Sequence, residues 1–263
     1  MRRLAVLGHP VSHSRSPAMH AAALAELGLG EEWSYEAIDV SPDRLDEQVR
    51  AMAADEFAGA NVTVPHKGAA MSVADSVSEA AREIGATNTL VFEAGEVHAD
   101  NTDADGFLAS LPEPPLGSRA LVLGAGGAAR AVVWALLREM AEVDVWNRTA
   151  LRSRHLCEEL GGEPVEEPDP AAYELIVNST AVGLRSEDPF EVLPLTPPSF
   201  NSQQTVVDLV YGEEPTALVR AAGEAGAAVV DGIEVLVQQG ARSLRIWTGL
   251  EPPLDAMRAA ARR

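Results

Sequence analysis

Near the middle of the chain, Ala120-Leu121-Val122-Leu123 runs straight into Gly124-Ala125-Gly126-Gly127-Ala128-Ala129 and then Arg130-Ala131-Val132-Val133. Four apolar residues ended by a glycine predict a short buried strand, and the alanine-rich run behind them predicts a helix over 128–139. A strand that turns through glycine into a helix brings the chain back to form a parallel neighbour, so this junction commits its surroundings to a βαβ unit. The same alternation extends over the whole chain. Strands are predicted at 3–7, 34–40, 60–64, 89–92, 120–123, 143–147, 175–178, 206–209 and 228–230. Helices are predicted at 18–27, 45–53, 128–139, 151–160, 216–225 and 235–247. Alternation of this kind predicts an α/β fold built on parallel sheet.

The glycine phrase also has a chemical use. In the pattern Gly-x-Gly-x-x-Ala, Gly124 permits the tight turn and Gly126 lets backbone approach a pyrophosphate, while Ala129 keeps helix and strand close. Gly124, Ala125, Gly126, Gly127 and Ala128 then form the cofactor-binding phrase, its amides and helix N-terminus attracting the anion. The competing reading is a plain glycine-rich connection. The next strand selects the nucleotide. A carboxylate at its end would grip a ribose diol, but Asp144 lies mid-strand and the strand runs out into Asn147-Arg148-Thr149, with Arg152 four residues past Arg148. Two guanidinium groups at helical i, i+4 spacing can clamp a 2′-phosphate that a carboxylate would repel, so NADP(H) is favoured over NAD(H). Solvated surface arginines are the alternative.

A length of 263 residues suits two modest domains. The stretch Leu111-Pro112-Glu113-Pro114-Pro115-Leu116-Gly117 reads as the linker, with further Pro-rich loops at 163–170 and 186–204. The last of these is long enough to suggest a functional lid. A net charge of −20 opposes nucleic acid and anionic lipid as partners. It also requires any anion site to be built from local cations and amides. The opening, Met1-Arg2-Arg3-Leu4-Ala5-Val6-Leu7-Gly8, reads as a buried strand and not as a signal peptide, no apolar run suits a membrane span, and one cysteine, Cys157, allows no internal disulfide. The expected compartment is the cytoplasm. Oligomeric state is not written in the sequence, and a homodimer stays open.

Of the 20 basic residues, every one but Lys67 is arginine. Lysine titrates readily when partly buried and arginine does not, so the phrase Asn61-Val62-Thr63-Val64-Pro65-His66-Lys67 suggests a place where a cation able to release its proton is wanted. A loop lysine is as readily a solvated charge, and composition does not choose. Further upstream, Ser14-Arg15-Ser16-Pro17 precedes a helix, where hydroxyls and free amides could hold a carboxylate or serve only as a cap. His9, His13 and His20 have no carboxylate or thiolate cluster around them, so no metal site is expected.

Taken in order, Gly8–Pro17, Asn61–Lys67, Gly85-Ala86-Thr87-Asn88-Thr89-Leu90, Asn101-Thr102-Asp103, Gly124–Arg130, Asn147-Arg148-Thr149, Asn178-Ser179-Thr180, Asp208-Leu209-Val210-Tyr211 and Gln238-Gln239 resemble the shikimate dehydrogenases. Asn-Val-Thr-x-Pro-x-Lys together with Asn-Thr-Asp is specific to that family and its quinate-oxidising relatives. The resemblance implies two α/β domains with a cleft between them. Residues 1–103 would form the substrate domain, with helices in 236–263 returning to it, and residues 104–235 a doubly wound Rossmann-type NADP domain. It implies NADP-dependent interconversion of 3-dehydroshikimate and shikimate, with Lys67 and Asp103 as the catalytic pair. Ser14 and Ser16 would take the substrate carboxylate, and Thr63, Asn88, Asp103 and Gln239 the ring hydroxyls, with Asn61 and Tyr211 nearby. Leu209 and Gly232 would border the nicotinamide end. A quinate/shikimate dehydrogenase using NAD, or a non-catalytic NADP(H)-binding sensor, are the rivals. A sensor would not need both Lys67 and Asp103. Ala21, Ala99 and Ala104 depart from the family pattern, and none removes a group assigned to chemistry.

Overall fold

The computed structural model describes residues 1–184 and 187–263, which divide into two compact units. The first comprises Met1–Gly106 and Leu236–Arg263, and the second Phe107–Val235. Among the described residues no helix is long and apolar enough to cross a membrane.

The first unit is built on six strands, β1 (Arg2–Gly8), β2 (Trp33–Asp39), β3 (Phe57–Val62), β4 (Ser76–Val77), β5 (Thr89–Glu93) and β6 (Glu96–Asp100), in the order β2-β1-β3-β5-β6-β4. β1 pairs in parallel with β2 and β3, whereas β5 runs antiparallel to both β3 and β6. The sheet is therefore mixed, not wholly parallel as the alternation suggests. The helices here are α1 (Ser16–Glu26), α2 (Leu45–Ala53), α3 (Ala69–Val73), α4 (Glu79–Ile84) and α5 (Asp103–Ser110), which runs on into the second unit. β1 is an interior strand between β2 and β3, and Leu4, Ala5, Val6 and Leu7 are all buried, as a strand covered on both faces requires. Leu45, Val49 and Met52 of α2 join Ala5, Leu7, Ala60 and Val62 in one apolar cluster. Each fully buried aliphatic side chain of this kind contributes roughly 1.5–3 kcal/mol relative to exposure.

The second unit contains six parallel strands, β7 (Arg119–Leu123), β8 (Glu142–Trp146), β9 (Glu163–Pro164), β10 (Leu175–Asn178), β11 (Thr205–Asp208) and β12 (Ala228–Val230), in the order β12-β11-β10-β7-β8-β9. Its helices are α6 (Gly127–Arg138), α7 (Ala150–Leu160), α8 (Pro189–Val192) and α9 (Ala217–Glu224). The order reverses between β7 and its neighbours β8 and β10. At such a switch point an open α/β sheet leaves a crevice beyond its carboxyl ends. Two helices complete the chain, α10 (Gly232–Thr248), which passes from the second unit into the first, and α11 (Leu254–Ala261).

Two expectations change. Residues 94–100 carry no predicted strand, yet β5 and β6 form a hairpin whose turn residues Ala94 and Gly95 have φ of 53° and 83°. Positive φ at both positions is the hairpin-favouring turn, which Asn-Gly usually announces and Ala-Gly does not. The stretch expected as a lid begins at Ser186, outside the described residues. Its remainder is anchored, because it forms α8 and buries Leu193, Leu195 and Phe200 in the apolar cluster of the second unit.

Candidate active site

Four loops of the first unit meet one edge of its sheet. They follow the carboxyl ends of β1, β3 and β6 and precede the start of antiparallel β5. That edge carries Ser14, Ser16, Thr63, Lys67, Asn88 and Asp103. The loop after β1 is pinned by Asp39, which accepts from the Val11 amide at 3.3 Å and pairs with His9 at 2.6 Å. α1 opens at Ser16, with Pro17 in its first turn, and the Ser16 amide donates to Ser14 Oγ at 3.3 Å. The two serines thus stand side by side at a helix N-terminus with no side-chain cap.

Lys67 is tied down from its backbone outward. Its carbonyl accepts from the Thr87 amide at 2.8 Å, and its Nζ donates to Asp103 Oδ2 at 2.6 Å. The two side chains are 15% and 16% exposed. The other Asp103 oxygen accepts from Asn88 Nδ2 at 2.9 Å, so one carboxylate is fixed on both sides. Asn101 explains why the Asn-Thr-Asp phrase has this order. Its Oδ1 accepts from the Asp103 and Ala104 amides, capping the start of α5, while its Nδ2 donates to the Ala86 carbonyl. Thr102, between them, offers its amide to Asn88 Oδ1 at 2.7 Å.

Beneath this surface lies a buried hydroxyl and amide network. The Thr89, Thr102 and Ser243 hydroxyls are 2.9–3.2 Å from one another. Asn61 accepts from the Tyr35 hydroxyl and donates to the Asn88 carbonyl and Ser243 Oγ. Gln239 reaches the same place from α10, its Oε1 accepting from Asn88 Nδ2 at 3.0 Å. It can do so because α5 and α10 touch at Gly106, where a Cβ would fall 2.6 Å from the Gln239 Cα. His20 lies in the same core, fully buried and stacked on Tyr35 at 4.2 Å, and burial pushes its imidazole down to about 3.

In the second unit, β7 ends at Leu123 and α6 begins at Gly127, its N-terminus without a side-chain cap. Gly124 has φ +117°, and a Cβ there would lie 2.8 Å from Ser179 Oγ. Gly126 differs. Its φ of −94° suits any residue, and a Cβ would meet nothing of this chain within 4 Å. Neither backbone nor packing demands glycine there, so the open space fits a group that approaches the backbone from outside, as a pyrophosphate does. Ala129 is fully buried against the strand, while Ala125, Gly127 and Ala128 are half-buried at the turn and helix start. Beyond β8, Asn147 Nδ2 donates to the Thr149 carbonyl and shapes the turn into α7. Arg148 lies in that turn and Arg152 in the first turn of α7, so the two are not a helical i,i+4 pair as their spacing suggests. Both are exposed, and among the described residues no carboxylate pairs with either, whereas Arg130 of α6 and Arg154 of α7 are held by Glu159 and Glu166. Asp144 turns to Arg119 and Tyr173, at 3.0 and 2.7 Å, away from any ribose role.

Of the predicted residues, Lys67, Asp103, Asn88, Gln239 and Asn61 form one hydrogen-bonded constellation. Asn61 is buried with its polar atoms engaged inside the protein, so it supports Asn88 from below. Ser14, Ser16 and Thr63 share the sheet edge with that constellation, and Tyr211, Leu209 and Gly232 belong to the second unit. Ser243 and Tyr35 carry no motif, and Thr102 stands inside the Asn-Thr-Asp phrase with no role assigned to it from the sequence. Ser243 is signalled only by standing four residues after Gln239 on one helix face.

Comparison with known proteins agrees with this construction. Residues 6–90 match the shikimate dehydrogenase substrate binding domain, 112–182 the shikimate / quinate 5-dehydrogenase model, and 232–262 the shikimate 5′-dehydrogenase C-terminal domain. A shikimate dehydrogenase (NADP(+)) of Thermus thermophilus is 48% identical over 100% of this chain and 98% of its own length. That of Methanopyrus kandleri is 41% identical over 97% of this chain and 93% of its own. The crystal structure of a Thermus thermophilus shikimate 5-dehydrogenase, in complex with NADP(H) and shikimate, superposes with a TM-score of 0.92 at 45% identity, covering 100% of this chain and 99% of that one. With motifs, fold and full-length similarity in agreement, the chain belongs to the shikimate dehydrogenase family.

Proposed function

We propose that this protein is an NADP-dependent shikimate dehydrogenase, which reduces 3-dehydroshikimate reversibly to shikimate on the route to chorismate and the aromatic amino acids. The carrying observation is the half-sequestered Lys67–Asp103 pair, locked by Asn88 in a chain 48% identical to a shikimate dehydrogenase (NADP(+)).

In this reading Ser14 and Ser16 bind the substrate carboxylate through hydroxyls and the N-terminus of α1. Thr63, Asn88, Asp103 and Gln239 bind the ring hydroxyls, with Asn61 supporting Asn88 and Tyr211 lying near the ring. A site built from such neutral hydrogen-bonding groups rejects analogues lacking a hydroxyl, since its own polar atoms would be left unpaired. Bound NADPH supplies the hydride to the ketone carbon. The Lys67 ammonium hydrogen-bonds the carbonyl oxygen and gives it a proton as negative charge develops there, completing the alcohol. Asp103 keeps that ammonium aimed and takes part in relaying the proton back from solvent. Gly124, Ala125, Gly126, Gly127 and Ala128 hold the pyrophosphate, Asn147, Arg148, Thr149 and Arg152 the 2′-phosphate end, and Leu209 and Gly232 border the nicotinamide. Guanidinium groups that no carboxylate among the described residues pairs, in a chain of net charge −20, support the phosphate assignment.

The same reading takes the enzyme to be cytoplasmic, acting on small molecules and free of nucleic-acid partners, either as a monomer or as a homodimer that sedimentation would reveal. Absorbance at 340 nm tests the activity. Shikimate with NADP should give the largest kcat/KM among the four pairings of shikimate or quinate with NADP or NAD. Preference for quinate with NAD, or cofactor binding without turnover, would overturn it.

A further inference from the structure

Asp208 closes β11 and is buried, yet no role in the chemistry above falls to it. Its carboxylate receives three hydrogen bonds. Oδ1 accepts from Asn178 Nδ2 at 2.9 Å and from the Val210 amide at 3.1 Å, and Oδ2 accepts from the Thr216 hydroxyl at 2.6 Å. Each donor belongs to a different piece of backbone. Val210 is the second residue of the loop after β11, and Thr216 ends that loop while also capping α9 by accepting from the Val219 amide. Asn178 ends β10, where its Oδ1 accepts from both the amide and the hydroxyl of Thr180. Against the far side of the same segment stands Gly232, where a Cβ would fall 2.7 Å from both the Leu209 and Val210 carbonyl oxygens.

Leu209 and Val210 are therefore clamped between a carboxylate and the start of α10. Burial pushes the Asp208 carboxyl up to about 6 against the opposing pull of its three donors. A buried ionisable group is costly, and a neutral residue would be cheaper if only packing were needed. What a carboxylate supplies here is acceptors in several directions at once, with no hydrogen of its own to misdirect a donor.

We propose that Asp208 is a positioning residue, fixing Leu209, Val210 and the loop 178–182 as one rigid rim at the nicotinamide end of the cofactor site while leaving the 2′-phosphate end untouched. This rests on the functional reading above, in which Leu209 and Gly232 border the nicotinamide. Asp208→Asn places an amide hydrogen among three donors, and Thr216→Val removes one donor at similar volume.

Two measurements on each variant separate positioning from general instability: kcat for shikimate oxidation with NADP, and the Kd of 2′,5′-ADP, which carries the 2′-phosphate end alone. Asp208→Asn should lower kcat by about tenfold or more, because small displacements of a reacting group are costly, with the Kd of 2′,5′-ADP within about twofold of wild type. Thr216→Val should lower kcat about three- to fivefold with the same unchanged Kd, and it decides the matter if Asp208→Asn does not fold. A kcat within about twofold of wild type, or parallel losses in kcat and 2′,5′-ADP affinity, would overturn the proposal alone. Wild-type protein that binds 2′,5′-ADP but does not turn over shikimate would instead defeat the functional reading, and this proposal with it.

Discussion

Lys67 Nζ and Asp103 Oδ2 lie 2.6 Å apart, 36 residues apart in sequence, and each is held by a separate backbone device. The Thr87 amide fixes the lysine main chain, and the Asn101 side chain fixes the start of the helix that carries the aspartate. Such a pair presents one ammonium in one direction, which a proton donor needs. Lys67→Ala should lower kcat by about 10²–10⁴, the usual worth of general acid–base help. The KM for shikimate should move far less, and steady-state kinetics in both directions reads both parameters. A kcat within about tenfold of wild type would remove Lys67 from the chemistry.

Arg148 and Arg152 stand exposed, whereas carboxylates of this chain already occupy Arg130 and Arg154 of the same unit. A charge-assisted hydrogen bond to phosphate contributes about 1.5–3 kcal/mol. Arg148→Ala should therefore raise the KM for NADP by roughly 10- to 100-fold. The KM for NAD, which lacks the 2′-phosphate, should change by less than about threefold, and a comparable rise for both cofactors would place Arg148 elsewhere.

The two glycines of the turn separate folding from binding. Gly124→Ala forces a side chain to φ +117° against Ser179, and left-handed strain alone costs about 1–2 kcal/mol. Its melting temperature should fall by roughly 2–8 °C. Gly126→Ala meets no atom of this chain at an ordinary φ, so its melting temperature should match wild type within about 1 °C. NADP should nevertheless bind it about tenfold or more weakly, as the new methyl occupies the space left for the pyrophosphate. Calorimetry and titration of both variants test the pair, and unchanged NADP affinity in Gly126→Ala would contradict the assignment.

Those glycines also mark what is legible in the sequence. Strand β7, the turn and α6 are local, so four apolar residues and three glycines suffice to place them. Lys67 stands out because its chemistry is unique among the basic residues. The support beneath it is not legible. Asn88 and Thr102 meet Gln239 and Ser243 across separations of 141 to 151 residues, and no local pattern distinguishes a buried threonine from a surface one. Asn61, expected near the substrate, hydrogen-bonds Tyr35 and Ser243 within the core, because β3 is buried on both faces at that point and its amide must find partners inside the protein. The arginine pair departs from its expected helical spacing for a boundary reason. β8 ends at Trp146 and α7 starts only at Ala150, so a single helix does not carry both Arg148 and Arg152.

His20 makes the fold acid-sensitive in a window that can be assigned. Its imidazole is fully buried against Tyr35 and Trp247, and burial pushes it down from 6.5 to about 3. The unfolded chain therefore binds a proton below about 6.5 that the folded chain refuses until about 3. Stability due to this group is intact above pH 6.5 and is lost as pH falls, by about 1.4 kcal/mol for each unit within the window. The many carboxylates of this chain also titrate there, so the wild-type slope alone would not isolate His20. His20→Phe keeps an aromatic ring on Tyr35 and removes the titration. The difference in unfolding free energy between variant and wild type, measured by urea denaturation, should shift toward the variant by about 2 kcal/mol between about pH 6.5 and 5. A difference that stays flat across that interval would mean that His20 takes up its proton in the folded state as readily as in the unfolded one.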